Sequence, residues 1–367
     1  MRYPVTKKTR IKNVLVRINE GILSCEIEIE NVNDLRAQFA FYIFRNDERV
    51  HVHWYSDSPF FELDTNRSPG YYRVEGFVKF DDNHLENRKS SYVFADPIKV
   101  SSAEALVDGN SRAYLIRGKY WDYPCIYYPK VSDSLFVMMP SAIDRSKISL
   151  PSFSRWTWAK DLPGSVLCLA DPTLELDKAL RLGWLIGDKT RCATKDIAEF
   201  IMDLAQKKGI PREKIVIYGS SAGGFSALAL AAYIEGSVAV AINAQTDALS
   251  YNVAEQVDLV RKACFEDMSS DAVRENFPDR VDMVSRWAAV KQSRVILVQN
   301  ILDDHHYDVH FQPFWKSLGG GDPAEGLFEC GRHVAWVYRQ EGGHIPETKE
   351  MAQKIISMLS DANYNGC

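Results

Sequence analysis

The segment Gly219-Ser220-Ser221-Ala222-Gly223 places a serine hydroxyl where it can become a nucleophile. The apolar run before it predicts a buried strand, and the small-residue stretch after it predicts a helix. A tight turn between strand and helix exposes the Ser221 hydroxyl, and the two outer glycines keep neighbouring side chains away from it. The backbone N–H of Ala222, at the start of the helix, faces the same cleft and can stabilise an oxyanion.

The same glycines would also serve a turn that only packs a helix close to a strand, or one that cradles a phosphate. A phosphate loop needs a lysine after its glycines, and a dinucleotide loop needs the GxGxxG spacing. Neither pattern occurs in this segment. The flanking strand and helix therefore favour a nucleophile, and we predict that Ser221 carries it.

A serine nucleophile needs a base that takes its proton and an acid that orients the base. His344 is the candidate base. The apolar run 334–338 predicts a strand that leads into a Gly342-Gly343 loop, and this loop presents His344 just before a predicted helix, 347–359. A surface-loop histidine without a catalytic role is the alternative.

Three aspartates are candidates for the acid. Asp303 and Asp304 follow the predicted strand 294–298, and Asp247 follows the predicted strand 238–242. Because the carboxyl ends of parallel strands meet at one edge of a sheet, all three lie within reach of a site at that edge. We favour Asp303 and keep Asp304 and Asp247 as alternatives.

The acid segment also contains residue types that bind metals. Asp303, Asp304, His305, His306 and His310 offer carboxylate and imidazole groups within eight positions. The HExxH spacing of a zinc enzyme is absent, and a serine mechanism already accounts for one acid here. We therefore predict no metal and no cofactor, and we expect His305 and His306 to hold the acid loop or to touch substrate.

Two further sets of residues complete the predicted site. Ser141 or Ala142, in the loop after the predicted strand 134–139, is expected to give a second backbone N–H to the oxyanion. Arg155, Trp156 and Trp184 lie in aromatic-rich segments that would suit a substrate cleft, with the tryptophans against sugar rings and the arginine against an acidic group. Ordinary packing explains these segments equally well.

The second part of the chain reads as an α/β domain. Short, continuously apolar runs alternate with helical patterns, which predicts a mostly parallel sheet covered by helices on both faces. The predicted strands are 134–139, 165–170, 214–218, 238–242, 294–298 and 334–338, and the predicted helices are 194–208, 223–234, 251–263, 310–318 and 347–359.

The first hundred residues predict only strands and turns. The runs are 14–17, 22–30, 38–45, 50–55, 71–80 and 92–100, and Asn46-Asp47-Glu48-Arg49 predicts a hairpin turn. Short antiparallel strands at this density suggest an immunoglobulin-like sandwich. We predict a β domain over residues 1–105 and an α/β catalytic domain over 106–367.

Composition excludes several classes of function. The formal net charge is −5 and no basic cluster is present, so nothing favours a nucleic-acid partner. Charged residues interrupt the first twenty positions, so we predict no secretory signal, and no apolar stretch reaches the length of a membrane span. Seven scattered cysteines without a CxxC pair fit reduced thiols. These features predict a cytoplasmic protein.

With the serine turn, the acid loop and the late histidine in place, the second half resembles the α/β-hydrolase superfamily. The resemblance implies the chain order serine, acid, histidine, with the acid in a strand-end loop, as Asp303 is. Several segments look like a bacterial subgroup that pairs an N-terminal β domain with the hydrolase domain and is associated with surface-polysaccharide and glycoprotein-export functions. These segments are Gln299-Asn300, His305-His306-Tyr307, His310, Pro313-Phe314, Asp171-Pro172-Thr173-Leu174 and Gly183-Trp184.

The expected function is therefore acyl-ester chemistry, as a serine esterase or an O-acyltransferase. The resemblance implies a carbohydrate or related substrate, with acetyl as the expected acyl group and an acyl donor where transfer occurs. Two alternatives remain: a non-catalytic polysaccharide-assembly or export factor on a hydrolase scaffold, and a serine peptidase. The sequence does not determine the oligomeric state.

Overall fold

A computed structural model describes residues 10–30, 36–81, 84–106 and 111–360. The chain divides into two units: Met1–Lys99 with Ser111–Tyr114 and Ser146–Pro151 form the first, and Val100–Asn110, Leu115–Arg145 and Ser152–Cys367 form the second. Residues 1–9, which bear on the predicted lack of a secretory signal, and 107–110, beside the predicted boundary, lie outside the described residues. The boundary at 105/106 stays a prediction.

The first unit contains two antiparallel sheets. One has the strand order β1-β2-β5, and the other has the order β4-β3-β6-β7, with β8 paired to β6. Inward side chains of both sheets, among them Leu23, Ile27, Phe41 and Val74, form one apolar core. The strands are β1 (Ile11–Asn19), β2 (Ile22–Ile29), β3 (Ala37–Arg45), β4 (Glu48–Ser56), β5 (Phe60–Asp64), β6 (Gly70–Phe80), β7 (Leu85–Lys89) and β8 (Val93–Ala95).

The structure refines the predicted strands of this unit. The hairpin turn is confirmed: Asn46 and Asp47 join β3 to β4 with φ of 51° and 69°, as a two-residue hairpin requires. The predicted strand 92–100 is wrong as a single strand, because Asp96 has φ 46° and Pro97 has no N–H to donate. It forms β8 and a separate β9 (Ile98–Val100). Strands β5 and β7 were not predicted, since most of their side chains are exposed.

The second unit contains a mixed sheet. The strands that lie wholly within it follow the order β17-β18-β16-β15-β14-β12-β13-β11. Strands β13, β12, β14, β15, β16 and β18 are mutually parallel, and β11 and β17 are antiparallel to their neighbours. The strands of this part of the chain are β10 (Arg112–Arg117), β11 (Asp122–Tyr128), β12 (Leu135–Met138), β13 (Ser165–Leu169), β14 (Ile215–Ser220), β15 (Val238–Ile242), β16 (Arg294–Asn300), β17 (Gly326–Cys330) and β18 (His333–Tyr338).

Helices connect the parallel strands, as the alternating pattern predicts. They are α1 (Ala193–Lys207), α2 (Ala222–Tyr233), α3 (Ala254–Phe265), α4 (Ser270–Asn276), α5 (Pro278–Val281), α6 (Met283–Trp287), α7 (Gln312–Ser317) and α8 (Lys349–Ser360). The short helices α4 to α6 were not predicted, because four to seven residues do not develop a helical period. The predicted helix 310–318 begins as a π-helix over His306–Phe311 and continues as α7.

The turn between β14 and α2 consists of a single residue. Ser220 ends the strand, Ala222 begins the helix, and only Ser221 lies between them. A Cβ at Gly219 would lie 2.1 Å from the carbonyl oxygen of Gly223. The turn therefore closes only because position 219 has no side chain.

We expect Gly219→Ala to lower the free energy of unfolding by at least about 2 kcal/mol, because the new methyl group meets rigid backbone. Gly321→Ala is the matched control: nothing lies within 4 Å of the added carbon, so its effect should stay near zero. Urea denaturation of both variants measures the difference. Equal stability of the two variants would contradict this account of the turn.

Candidate active site

Three parallel strands bring the predicted catalytic residues to one edge of the sheet. Ser221 follows β14, Asp303 follows β16 and His344 follows β18. Because β14, β15, β16 and β18 are parallel neighbours, their carboxyl ends lie side by side. Ligand sites of open α/β sheets form at this edge.

Ser221 has an unusual backbone conformation. Its φ of 53° and ψ of −123° lie where few residues other than glycine are found. Such a conformation costs on the order of 1–3 kcal/mol and persists only where its surroundings impose it. The Ser221 N–H donates to the Ile242 carbonyl at 2.9 Å, which fixes the turn against β15. This backbone conformation points the Ser221 hydroxyl towards the carboxyl edge of the sheet.

The Ser221 hydroxyl contacts an imidazole that a carboxylate orients. Ser221 Oγ lies 3.0 Å from His344 Nε2, and His344 Nδ1 lies 2.6 Å from Asp303 Oδ2. Asp303 is only 6% exposed. Burial alone would raise the pKa of Asp303, but hydrogen bonds from His306 and His344 hold it well below its usual range.

The other two candidate acids have different surroundings. Asp304 is exposed. Asp247 accepts the Leu249 N–H at 2.9 Å and pairs with Arg274 at 2.5 Å. Of the three aspartates, the structure brings Asp303 to His344.

A second histidine shares the Asp303 carboxylate. His306 Nδ1 lies 2.9 Å from Asp303 Oδ1, and its ring stacks on His344 with centroids 4.1 Å apart and planes 17° apart. Burial lowers the pKa of His306, although the Asp303 bond opposes the effect. His305 lies further out, with Nε2 3.1 Å from the Ser250 carbonyl oxygen. The neighbouring His310 is buried, and burial lowers its pKa to about 3.

Gln245 contacts both the nucleophile and the second histidine, and the sequence analysis missed it. Its Nε2 lies 3.1 Å from Ser221 Oγ and 2.7 Å from His306 Nε2, while its Oε1 accepts the Trp184 indole N–H at 3.2 Å. Its position just after β15, at the same sheet edge as the triad candidates, was the available signal. Trp184 itself is 1% exposed and offers almost no surface to a substrate in this conformation.

A buried ion pair supports the serine turn. Arg155 donates to Glu347 at 2.5 and 2.7 Å and to Ser220 Oγ at 2.5 Å, and the Glu347 side chain is 0% exposed. Tyr218 also donates to Glu347, at 3.0 Å. Burial, together with the Glu347 carboxylate, raises the pKa of the Tyr218 hydroxyl well above its ordinary value. Arg155 thus binds the chain itself, and the sequence analysis missed Glu347 as its partner.

Trp156, the neighbour of Arg155, is 5% exposed. Like Trp184, it therefore presents little surface to a ligand in this conformation. The assignment of both tryptophans, Arg155, His305 and His306 to substrate binding stays a prediction.

The candidate oxyanion donors are the Ala222 N–H and a backbone N–H of Ser141 or Ala142. The Ala222 N–H belongs to the first turn of α2 and so has no acceptor within the helix. The Ser141 N–H donates to Ser154 Oγ at 3.0 Å, and the Ser141 hydroxyl donates to the Ser220 carbonyl at 3.2 Å. Ala142 is exposed. Ser154 therefore already occupies the Ser141 N–H. Of the two loop residues, Ala142 is the better candidate for the second oxyanion donor.

Asp303, His306 and His344 also have the spacing of a metal site, with one ligand atom of each within 4.8 Å of the others. The carboxylate oxygens of Asp303 already accept ring N–H groups of the two histidines. The remaining ring nitrogens face Gln245 and Ser221. Hydrogen bonding within the chain accounts for every one of these atoms.

The chain matches no protein-family model and no curated protein sequence. A crystal structure of a puromycin hydrolase mutant complexed with PGG is similar, with a TM-score of 0.50 and 12% identity. The match covers 95% of this chain and 52% of that one, so the chain spans about half of that enzyme. At this identity the likeness shows the fold alone.

Two further solved structures are similar at lower scores. A glycosylation-associated protein complex from Streptococcus agalactiae has a TM-score of 0.49 at 12% identity, covering 97% of this chain and 73% of that one. A capsule O-acetyltransferase of Neisseria meningitidis serogroup A, a mutant bound to CoA, has a TM-score of 0.47 at 14% identity, covering 69% and 99%.

The sheet order and the similarity to puromycin hydrolase confirm the predicted fold class. The second unit has the α/β-hydrolase fold, and the first is an antiparallel β region. The immunoglobulin-like topology of that region stays a prediction. Among the residues that the structure describes, no helix is both long and apolar enough to cross a membrane.

We expect Glu347→Ala to lower the free energy of unfolding by about 3 kcal/mol, because it leaves the Arg155 guanidinium buried without its partner. The double variant Arg155→Met with Glu347→Leu should lose much less, since it removes both charges. Urea denaturation measures the free energy of unfolding of the wild type, of Glu347→Ala and of the double variant.

The exposed pair Lys349 and Asp161, 3.1 Å apart, provides the control. Asp161→Ala should change stability by less than about 1 kcal/mol. A double variant that loses as much stability as Glu347→Ala would show that the loss does not come from leaving Arg155 buried without its partner.

Proposed function

We propose that this protein is a serine esterase or O-acyltransferase in which Ser221 is the nucleophile, His344 the base and Asp303 the acid. One observation carries the proposal. A continuous series of hydrogen bonds runs from Ser221 Oγ through His344 to Asp303, at the sheet edge where this fold holds its active sites. The positive φ of Ser221 supports it, because strained backbone is often found at functional residues.

The geometry supports a two-step acyl transfer. His344 Nε2 takes the Ser221 proton as Oγ attacks the acyl carbonyl, and Asp303 stabilises the imidazolium that forms. The Ala222 N–H and the Ala142 N–H would bind the oxyanion. His344 then gives its proton to the leaving alcohol. In the second step the same groups act again, with water or an acceptor hydroxyl as the attacking nucleophile. No step requires a cofactor.

The substrate class rests on the resemblance of the acid-loop segments, and we extend the proposal on that basis to acetyl esters of carbohydrates. Water and a sugar hydroxyl are both chemically competent acceptors, because the serine, base and acid act identically in hydrolysis and in transfer. The predicted β domain, residues 1–105, would then accompany a catalytic domain over 106–367. A non-catalytic assembly factor or a peptidase would give different results in the two experiments below.

A fluorophosphonate probe should label Ser221 in the folded protein, and Ser221→Ala should abolish both labelling and cleavage of an aryl acetate ester. We expect the rate to fall by about 10⁴-fold or more, since the nucleophile is lost while the fold persists. Ser226→Ala is the control, because that hydroxyl bonds only within helix α2, to the Ala222 carbonyl at 3.1 Å. Absence of labelling in the folded wild type, with wild type and Ser221→Ala behaving alike, would contradict the proposal and favour a non-catalytic role.

Esterase and transferase differ in the fate of the acyl group. We expect an acetylated oligosaccharide to release acetate in a reaction that Ser221→Ala abolishes, and a peptide substrate to remain uncleaved. Acetate release and acetyl transfer to an added unacetylated glycan are measured together by mass spectrometry. Predominant transfer in the presence of excess water would assign the protein as an O-acyltransferase, and peptide cleavage alone would assign it as a peptidase.

A further inference from the structure

The hydrogen bonds around Ser221 form a closed ring of five side chains. Starting from Ser221 Oγ, the contacts pass to His344, Asp303, His306 and Gln245 and return to Ser221 Oγ. The proposed mechanism uses only the first three residues. The other two, His306 and Gln245, complete the ring on its far side.

The orientation of the Gln245 amide fixes the direction of two bonds in this ring. The Trp184 indole N–H can only donate, so the atom that faces it must be the amide oxygen. The amide nitrogen therefore faces His306 Nε2 and Ser221 Oγ and donates one hydrogen to each. A flipped amide would place two donors against each other at Trp184.

The protons on both imidazoles then follow. His306 Nε2 accepts from Gln245, so the ring proton of neutral His306 lies on Nδ1 and is donated to Asp303 Oδ1. His344 has the same tautomer: its Nδ1–H donates to Asp303 Oδ2, and its Nε2 accepts the Ser221 hydroxyl proton. Both oxygens of Asp303 thus accept an imidazole N–H.

We propose that His306 is a positioning residue that holds Asp303 and Gln245 in place and occupies one of the two Asp303 oxygens, so that the carboxylate is shared between two imidazoles. This inference rests on the proposed role of His344 as the base. An acid that bonds to one imidazole only would stabilise the His344 imidazolium more strongly. Loss of the His306 bond would therefore favour the charged form of His344.

The surroundings of His306 keep it neutral while His344 gains and loses a proton. His305, His310 and His344 all lie around its ring, with centroids 5.7, 5.4 and 4.1 Å away, and among the described residues Asp303 is the one carboxylate that bonds to it. A second proton on His306 would sit on Nε2, where Gln245 already donates. It would also place a positive charge against the stacked His344 ring.

Two substitutions separate the bond to Asp303 from the presence of a ring. His306→Phe keeps a ring against His344 but cannot donate to Asp303. His306→Asn can place its amide nitrogen near the position of Nδ1 and keep that donation, while the ring is lost. A purely structural role of His306 would make the two variants lose activity without moving their pH profiles.

We expect the acid limb of kcat/KM in His306→Phe to move to higher pH by about one unit, and that of His306→Asn to stay near the wild-type position. The pH midpoint of the His344 ring resonance, followed by NMR, should move in the same way and does not require turnover. Unmoved profiles and midpoints in His306→Phe, or equal shifts in both variants, would overturn the proposal.

The tautomer of His306 can be tested in the wild-type protein, whatever the stability of the variants. Imidazole ¹⁵N chemical shifts should show the proton on Nδ1, and a proton on Nε2 would overturn the proposal. If the tautomer and the His344 midpoint behave as expected but the probe does not label Ser221, the proposed function fails, and only the effect of His306 on His344 remains supported. If the probe labels Ser221 but the His344 midpoint does not shift in His306→Phe, only the proposed role of His306 is contradicted.

Discussion

The Asp303 carboxylate is the charge on which the candidate site depends. A buried carboxylate is stable only where donors replace the water it has lost, and the two histidine N–H groups do this for Asp303. Each bond also fixes the tautomer and plane of the ring that makes it. His344 is thereby aimed at Ser221, and His306 at Gln245. One charge just after β16 thus orients two imidazoles, one that contacts Ser221 and one that contacts Gln245.

The serine turn is held in a comparable way from its other side. Gly219 allows the close approach of helix α2, and Arg155 reaches Ser220 Oγ from a distant loop while Glu347 neutralises its charge. Glu347 lies three residues after His344. The loop that carries the base is therefore attached to the turn that carries the nucleophile, and the strained backbone of Ser221 has support from both sequence neighbours and tertiary contacts.

The sequence was sufficient to predict the fold class and three of the residues that the structure brings together. Ser221, Asp303 and His344 each follow a continuous apolar run, and such runs predict buried parallel strands whose ends meet. It left three aspartates open, because β15 and β16 end at the same edge, and only the structure shows Asp247 beside Arg274 and Asp303 beside His344. The sequence did not predict the contacts of Gln245 and Glu347 or the buried position of Trp184. These features depend on tertiary packing, which leaves no periodic pattern in the local sequence.

The contacts of the site join segments that are far apart in the chain. Ser221 and His344 are separated by 123 positions, and Arg155 and Glu347 by 192. Contacts of such long range form late in folding, because the intervening chain must lose its freedom before they are made. The nucleophile and its base should therefore meet only after the parallel sheet has assembled, so that a folding intermediate would expose neither an activated serine nor a competent site.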